Sequence, residues 1–459
     1  MSEDEARTNH QLIAVMARLK MSNKGLARRV RELSEARHPG AGLRTDHVTV
    51  LKWLRGAQPR PETAPLIAEV LSIQAGERIT LADIGMAGGE AEDTDAALAY
   101  PDAVIESVTR LGALARRDVA GDARLIGQDA AHDAWTQPML LWMLSRPDAN
   151  VARSLGRRVG AGDVEALRET TRMFLGLDFR YGGGHARTAL VQYFAQDVVP
   201  LLEGAYSDEV GRQLYTAAAE VAQLLGWTAY DLGRHGLAQR YFIQALRLAQ
   251  AADDRSVAAR LLSNLSHQSN YLGRYQAAAQ LARAAQEGAK GAASPAAMSM
   301  FLTMEARALA GAQDHRGVTT ALRDAETSFR KSDLASEPTW IAYFDEAELA
   351  GEAAHCFRDL RSPREAHEYV SRAIELTGPS YVRTLAFVRL VQAAAFIQQD
   401  EPATAAAIMA SVVENSMPLK SERVLRYLRD LIQDLEPYAS TAEVRSAVSF
   451  VEVHAANSG

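Results

Sequence analysis

Three sets of residues in this chain have types and spacings that could do chemistry. The first is a basic island. Between Arg18 and Arg60 stand eleven Lys or Arg against three acids (Glu32, Glu35 and Asp46), a net of +8 in a chain of −7 overall. The remaining residues therefore carry about −15. A basic island on an acidic protein is the electrostatic footprint of phosphate binding; its alternative is a solvated basic helix face. The second set surrounds the glycine triplet 182–184, where Asp178, Arg180, His185 and Arg187 crowd together. A helix start preceded by glycines can hold an anion. No strand pattern precedes this triplet and no Gly-Lys-Ser/Thr follows, so it is not a phosphate loop. A bend between two helices with surface ion pairs is the favoured expectation. The third set, His355-Cys356 with His367, lacks the spacing of a zinc site. No G-x-S-x-G, kinase set or dinucleotide fingerprint occurs. The expectation is that this is not an enzyme, with no catalytic residue, no metal and no cofactor.

The elements that position the basic island can be read locally. Ser22 is a good N-cap residue, followed by Leu26, Ala27 and Val30 at helical spacing. A second short helix fits from about Asp46 to Leu54, with Val50, Trp53 and Leu54 on one face. Gly56 stands where a helix end needs a left-handed residue, and Pro59 and Pro61 stop the chain from continuing as helix. A preceding helix fits Asn9 to Lys20. A following one carries Leu66, Ile67, Val70 and Leu71, with Ile79, Leu81 and Ile84 packed beneath it. Two short helices, the second with polar side chains on its free face, make a helix-turn-helix.

This stretch resembles the Xre or lambda-repressor type of DNA-binding domain, on the residues Leu26, Ala27, Val30, Val50, Trp53 and Gly56. It departs from that pattern at Ser34 to Arg44, which is longer than the usual tight turn and contains His38-Pro39-Gly40. The resemblance implies double-stranded DNA as partner. It places His47, Val48, Thr49 and Lys52 at base edges in the major groove. It gives Asn23, Lys24, Arg44, Thr45 and Arg60 to phosphates.

The chain has 459 residues, too many for one core. One cysteine, Cys356, cannot make an internal disulfide, which suits a reducing cytoplasm. The acidic N-terminus is no signal peptide, and no apolar run approaches a membrane span. A cytoplasmic, nucleoid-associated protein with no membrane partner is expected. The domains expected are a DNA-binding domain over 1–85, a flexible linker over 86–97 and a helical region over 98–218. Repeats follow over 219–415, then C-terminal capping helices over 416–459.

The repeats show at an offset of 40, where LLGWTAYDLGRHGLAQRYFIQAL aligns with NLSHQSNYLGRYQAAAQLARAAQ. The small–large–small set Ala238, Phe242, Ala245 becomes Ala278, Ala282, Ala285. It recurs as Val318, Leu322, Ala325, as Ala366, Val370, Ala373 and more weakly as Ala405, Met409, Val412. With Leu225-Gly226 ahead of the first set, the pattern resembles the tetratricopeptide repeat. Small residues let two helices approach while the large one fills the gap, and neighbouring hairpins must stack to bury their faces. The first helices would line a concave groove with Gln223, Trp227, Tyr230, Arg260, Asn264, His267 and Asn270. Later repeats would add Arg307, Glu352, His355 and Arg358. A peptide or small polar ligand is expected at Trp227, Tyr230, Asn264, His267 and Asn270, since asparagines satisfy both donors and acceptors. The alternative is a solvated groove or one filled by another subunit.

The fold class expected is thus all-α: a lambda-repressor-like helix-turn-helix domain followed by a tetratricopeptide-type solenoid. The whole is similar to the long actinobacterial regulators of differentiation and antibiotic production, through residues 178–184 and 225–249. That similarity implies a homodimeric, sequence-specific transcription regulator with a sensor body. The alternative is a scaffold whose solenoid binds a protein partner without specific DNA readout.

Overall fold

The computed structural model describes residues 8–456 apart from 38–44, 58, 61–62, 77–78, 80, 82, 87–95, 334, 380 and 417–418. The chain divides into two compact units, Met1–Thr94 and Asp95–Gly459. Every regular element described is helical, apart from two single β-bridges. No described helix is long and apolar enough to cross a membrane.

The first unit holds α1 (His10–Arg18), α2 (Asn23–Arg37), α3 (His47–Leu54) and α4 (Ala64–Ala75). Leu12, Met16, Leu26, Val30, Val50, Trp53, Ile67 and Leu71 meet in one core that also takes in Ile79 and Ile84. Asn9 closes it. Its Oδ1 accepts the Leu12 N–H at 2.9 Å, capping α1. Its Nδ2 donates to the Ile84 carbonyl at 2.8 Å, and its backbone N–H donates to Leu54 O at 3.0 Å. One residue therefore ties the first helix to the end of α3 and to the end of the unit.

The second unit begins before the end of the linker read from composition, at Asp95. Ala96–Leu98 is a helical turn, Ala97 is buried, and the Ala97 carbonyl accepts from Gln244 Nε2 at 2.7 Å. At the other end Met86 is buried in the core of the first unit, and 87–95 lie outside the described residues. Then come α5 (Val104–Val119), α6 (Ala123–Ile126), α7 (Thr136–Leu144), α8 (Ala161–Tyr181), α9 (Arg187–Tyr193) and α10 (Val199–Leu202). These pack on the start of a solenoid-like stack of helix pairs. The pairs are α11 (Asp208–Asp231) with α12 (His235–Ala251) and α13 (Arg255–Tyr271) with α14 (Tyr275–Gly288). After them come α15 (Pro295–Gly311) with α16 (His315–Phe329), α17 (Glu346–Asp359) with α18 (Pro363–Leu376) and α19 (Val382–Gln398) with α20 (Pro402–Ser416).

Every residue of the five small–large–small sets is buried, including the degenerate later ones. The helix pairing that the sets were expected to seal is the pairing observed. Gly226 shows why the first pair closes so tightly. A Cβ there would stand 2.5 Å from the Phe242 ring, so glycine makes the space that the aromatic fills. The turn inside each pair has a left-handed residue: Gly233 (φ 72°), Gly273 (φ 74°), Gln313 (φ 61°), Arg361 (φ 54°) and Asp400 (φ 58°). In each, the following N–H reaches back five residues to a helical carbonyl, as Arg234 to Ala229 at 2.9 Å and Glu401 to Phe396 at 2.9 Å.

The last two helices, α21 (Glu422–Leu435) and α22 (Ala442–Ala456), do not both cap the stack. While α22 packs on α20, α21 runs along the concave side. Arg423 on α21 lies over the rings of Trp227 and Tyr230 at 5.5 and 4.7 Å, and over Phe387 of α19 at 4.7 Å. Tyr427 on α21 packs edge-on against His355 of α17. The stack also closes on itself, because α8 touches both α11 and α19.

Candidate functional site

The exposed surface of α3 is set by its cap. The Asp46 carboxylate accepts both the backbone N–H and the hydroxyl of Thr49 at 2.8 Å. The Thr49 backbone N–H is the main reason its acidity lies on the low side of the usual carboxylate range. With Val50 and Trp53 anchored in the core, His47, Val48, Leu51, Lys52 and Arg55 face outward, Val48 at 45 % exposure. Thr49 is half-buried. Leu51 and Arg55 join the expected surface; the period of a short helix with one buried edge is the signal that places them there. At the start of α2 Lys24 is exposed and Asn23 half-buried, and Arg60 is exposed after α3. Thr45 departs from expectation. It is 3 % exposed, turned inward, so its hydroxyl is not on the surface that a phosphate could reach. Arg44 lies outside the described residues, as does the His38-Pro39-Gly40 insertion.

The second unit contains a cavity of about 120 Å³ on the concave side of the stack. Each first helix contributes one stripe. From α11 come Gln223 and Trp227; from α13, Arg260, Asn264 and His267; from α15, Met300, Met304 and Arg307. The α17 stripe is Glu348, Glu352 and His355. Residues spaced four and three apart share one helix face, so the repeat carries the same face inward each time. Trp227, Asn264 and His267 thus stand where expected. Tyr230 does not: it is 0 % exposed, beneath the lining, sharing a hydrogen bond of 2.9 Å with His267 Nδ1. It fixes the imidazole rather than meeting a ligand. Asn270 and Arg358 line a separate, more polar cavity of about 370 Å³. The wall facing these stripes comes from α8, α19 and α21 through Phe179, Phe387, Arg383 and Arg423. None of those was expected there.

The glycine triplet belongs to this wall, and its ion pairs are buried rather than on the surface. Asp178 pairs with Arg383 at 2.8 Å, and the same guanidinium reaches Asp231 at 3.3 Å. Asp231 also accepts the Gly183 N–H at 3.0 Å and the Ser421 hydroxyl at 2.9 Å, and lies 3.7 Å from Arg423. The anion at this glycine turn is therefore a side chain of the protein itself. Glycine is required by proximity: a Cβ on Gly183 would meet Asp231 at 2.9 Å, and one on Gly184 would meet Lys420 at 2.9 Å. Arg187 is likewise buried, bound to Asp118 at 2.5 Å and to the Leu225 carbonyl at 2.7 Å.

Within the cavity the charges are unevenly matched. Arg307 is paired with Glu352 and Arg383 with two aspartates. Glu348 has no such partner among the described residues; burial, with Glu352 and Asp345 adding, pushes its carboxyl up to about 8. Burial and neighbouring arginines hold His267 and His355 well below the usual imidazole range, so both are neutral. Cys356 is buried and free, and burial raises its thiol, while His367 shares a hydrogen bond with Gln399 at 3.1 Å. No three His, Cys, Asp or Glu among the described residues are grouped to hold a metal ion.

A family model described as the SP15 N-terminal domain matches residues 12–87, most of the first unit. None of the curated proteins matches the chain.

Proposed function

We propose that this protein is a sequence-specific DNA-binding transcription regulator. Its first unit reads the major groove with α3, and its second unit dimerises and responds to a bound effector. One observation carries the DNA half: a short, side-chain-capped helix stands on a basic island, with His47, Val48, Lys52 and Arg55 exposed and Val50 and Trp53 buried. Lysine and imidazole can donate to purine acceptors, and a valine can meet a thymine methyl. A single recognition helix covers too little surface for tight specific binding, which favours two copies on a two-fold site.

The effector half rests on the inward stripes. With α21 along the concave side, the remaining space suits a small molecule better than an extended peptide. That weighs against both a groove-bound peptide effector and a protein partner held in the groove. The test is fluorescence anisotropy of the full chain on duplex DNA across a salt series. Lys52→Ala should cost about 1–3 kcal/mol and relax preference at one base pair. Arg60→Ala should weaken all sequences alike and flatten the salt slope by roughly one. Both variants binding as wild type does would sink this placement of the recognition surface.

A further inference from the structure

Among the described residues, Arg260 is the cavity-lining arginine with no hydrogen-bonded or ion-paired anion, although it also borders a second cavity with Glu220 and Trp340. The side chain is 5 % exposed, lines the cavity from α13 and lies over the Trp340 ring at 5.0 Å. It makes no hydrogen bond or ion pair to any described residue, and Glu220 contributes to its field without pairing. One turn further along the same face, Asn264 is 7 % exposed, and its Nδ2 is buried without a partner. A buried amide donor left unmatched costs stability, and a guanidinium without a hydrogen-bonded anion on the same face can share an acceptor with it. The two side chains stand four residues apart on one helix face and both line the cavity. The neighbouring stripe on α15 is apolar at that level, with Met300 and Met304.

We propose that this cavity binds a small organic monocarboxylate. Its carboxylate is held by Arg260 and Asn264, and its apolar body lies on Met300 and Met304. A planar carboxylate fits the fork of a guanidinium. A phosphate dianion fits less well, because the other cavity arginines that could answer its second charge are already engaged. Arg307 and Arg383 are committed to carboxylates, and Arg423 to Asp231 and a set of rings. Thioethers suit an apolar body of variable shape. The proposal names the effector class of the reading above, and it is measured without DNA, so either can fail alone.

The test uses the full chain with hexanoate and phenylacetate, their amides hexanamide and phenylacetamide, and inorganic phosphate, followed by calorimetry and thermal melting. At least one of the two acids should bind saturably and raise the melting temperature, with its amide inert at the same concentrations. Arg260→Met should weaken that binding on the order of tenfold to a hundredfold, the range of a hydrogen-bonded charge. A cooperative melt of the empty variant shows that it is folded, so that lost binding is read at the site. The acid–amide comparison needs no variant. Amides binding as well as acids, phosphate binding as well as carboxylate, unchanged affinity in Arg260→Met, or no binding of any probe by folded wild type would each overturn the proposal.

Discussion

At the scale of single residues, burial decides what the chain's titrating groups do. Burial, with Arg426, Arg423 and Arg274 adding, takes His235 down to about 4, and His267 and His355 lie well below 6.5 for the same reason. In the unfolded chain these imidazoles protonate near pH ~6.5. Their contribution to stability is therefore fully present above that value and is lost as pH falls through it. Glu348 acts in the opposite sense. Its folded value of about 8 lies above the ordinary 4.5, so its contribution is lost as pH rises between the two. Asp178 and Glu220, whose carboxyls burial also raises, act as Glu348 does, so the imidazole share is read as the difference between wild type and a variant. His355→Gln should reduce the acid-side slope by roughly 1.4 kcal/mol per pH unit. The same pH dependence of the melting temperature in wild type and His355→Gln from pH ~5 to ~7 would contradict this burial of a neutral imidazole. Sequence made one side of the cavity legible at this scale. Gln223, Trp227, Arg260, Asn264, His267, Arg307, Glu352 and His355 follow from repeat phase alone, because one face of each first helix points inward. Arg383 and Arg423 do not, because each meets its partner across more than 150 residues and no local pattern records that return.

At the scale of elements, the repeat was read from side chains but is preserved by backbone geometry. Its sequence pattern fades after the second pair, yet Gln313, Arg361 and Asp400 take the same left-handed turn as Gly233 and Gly273. Non-glycine residues carry strain there. A Cβ on Gly273 would meet nothing within 4 Å, so Gly273→Ala isolates the conformational cost, about 1–2 kcal/mol. Arg361→Gly should run the other way and stabilise by up to about 1 kcal/mol. Chemical denaturation reads both, and a neutral Gly273→Ala would count against the turn. Phe242→Ala leaves a cavity between α11 and α12 and should cost about 3–5 kcal/mol. A Phe242→Ala protein melting within about a degree of wild type would refute the repeat register. The element least legible in sequence is α21. Its amphipathic pattern fits a terminal cap as well as a helix laid in a groove, and only the buried Asp231 network distinguishes the two.

At the scale of the whole molecule, that network joins the beginning, middle and end of the second unit. Asp178, Asp231, Arg383 and Ser421 come from α8, α11, α19 and the start of α21. Removing one partner leaves buried charges unanswered, so Asp231→Ala should cost about 3–5 kcal/mol. Hydrogen exchange should show α21 losing protection before the helix pairs do. Equal loss throughout would mean that the network does not hold α21 in place. The first unit is where sequence spoke most locally: caps, the Val50–Trp53 core edge and the basic island all lie between Asn9 and Arg60. Its partner is the central claim. The most direct measurement is selection of bound duplexes from a random pool by the full-length protein, repeated with Lys52→Ala. DNA reading by α3 requires a motif of two symmetric half-sites, with Lys52→Ala losing preference at one base pair in each half. Recovery of no motif, or of the same motif at the same strength from the variant, would contradict it.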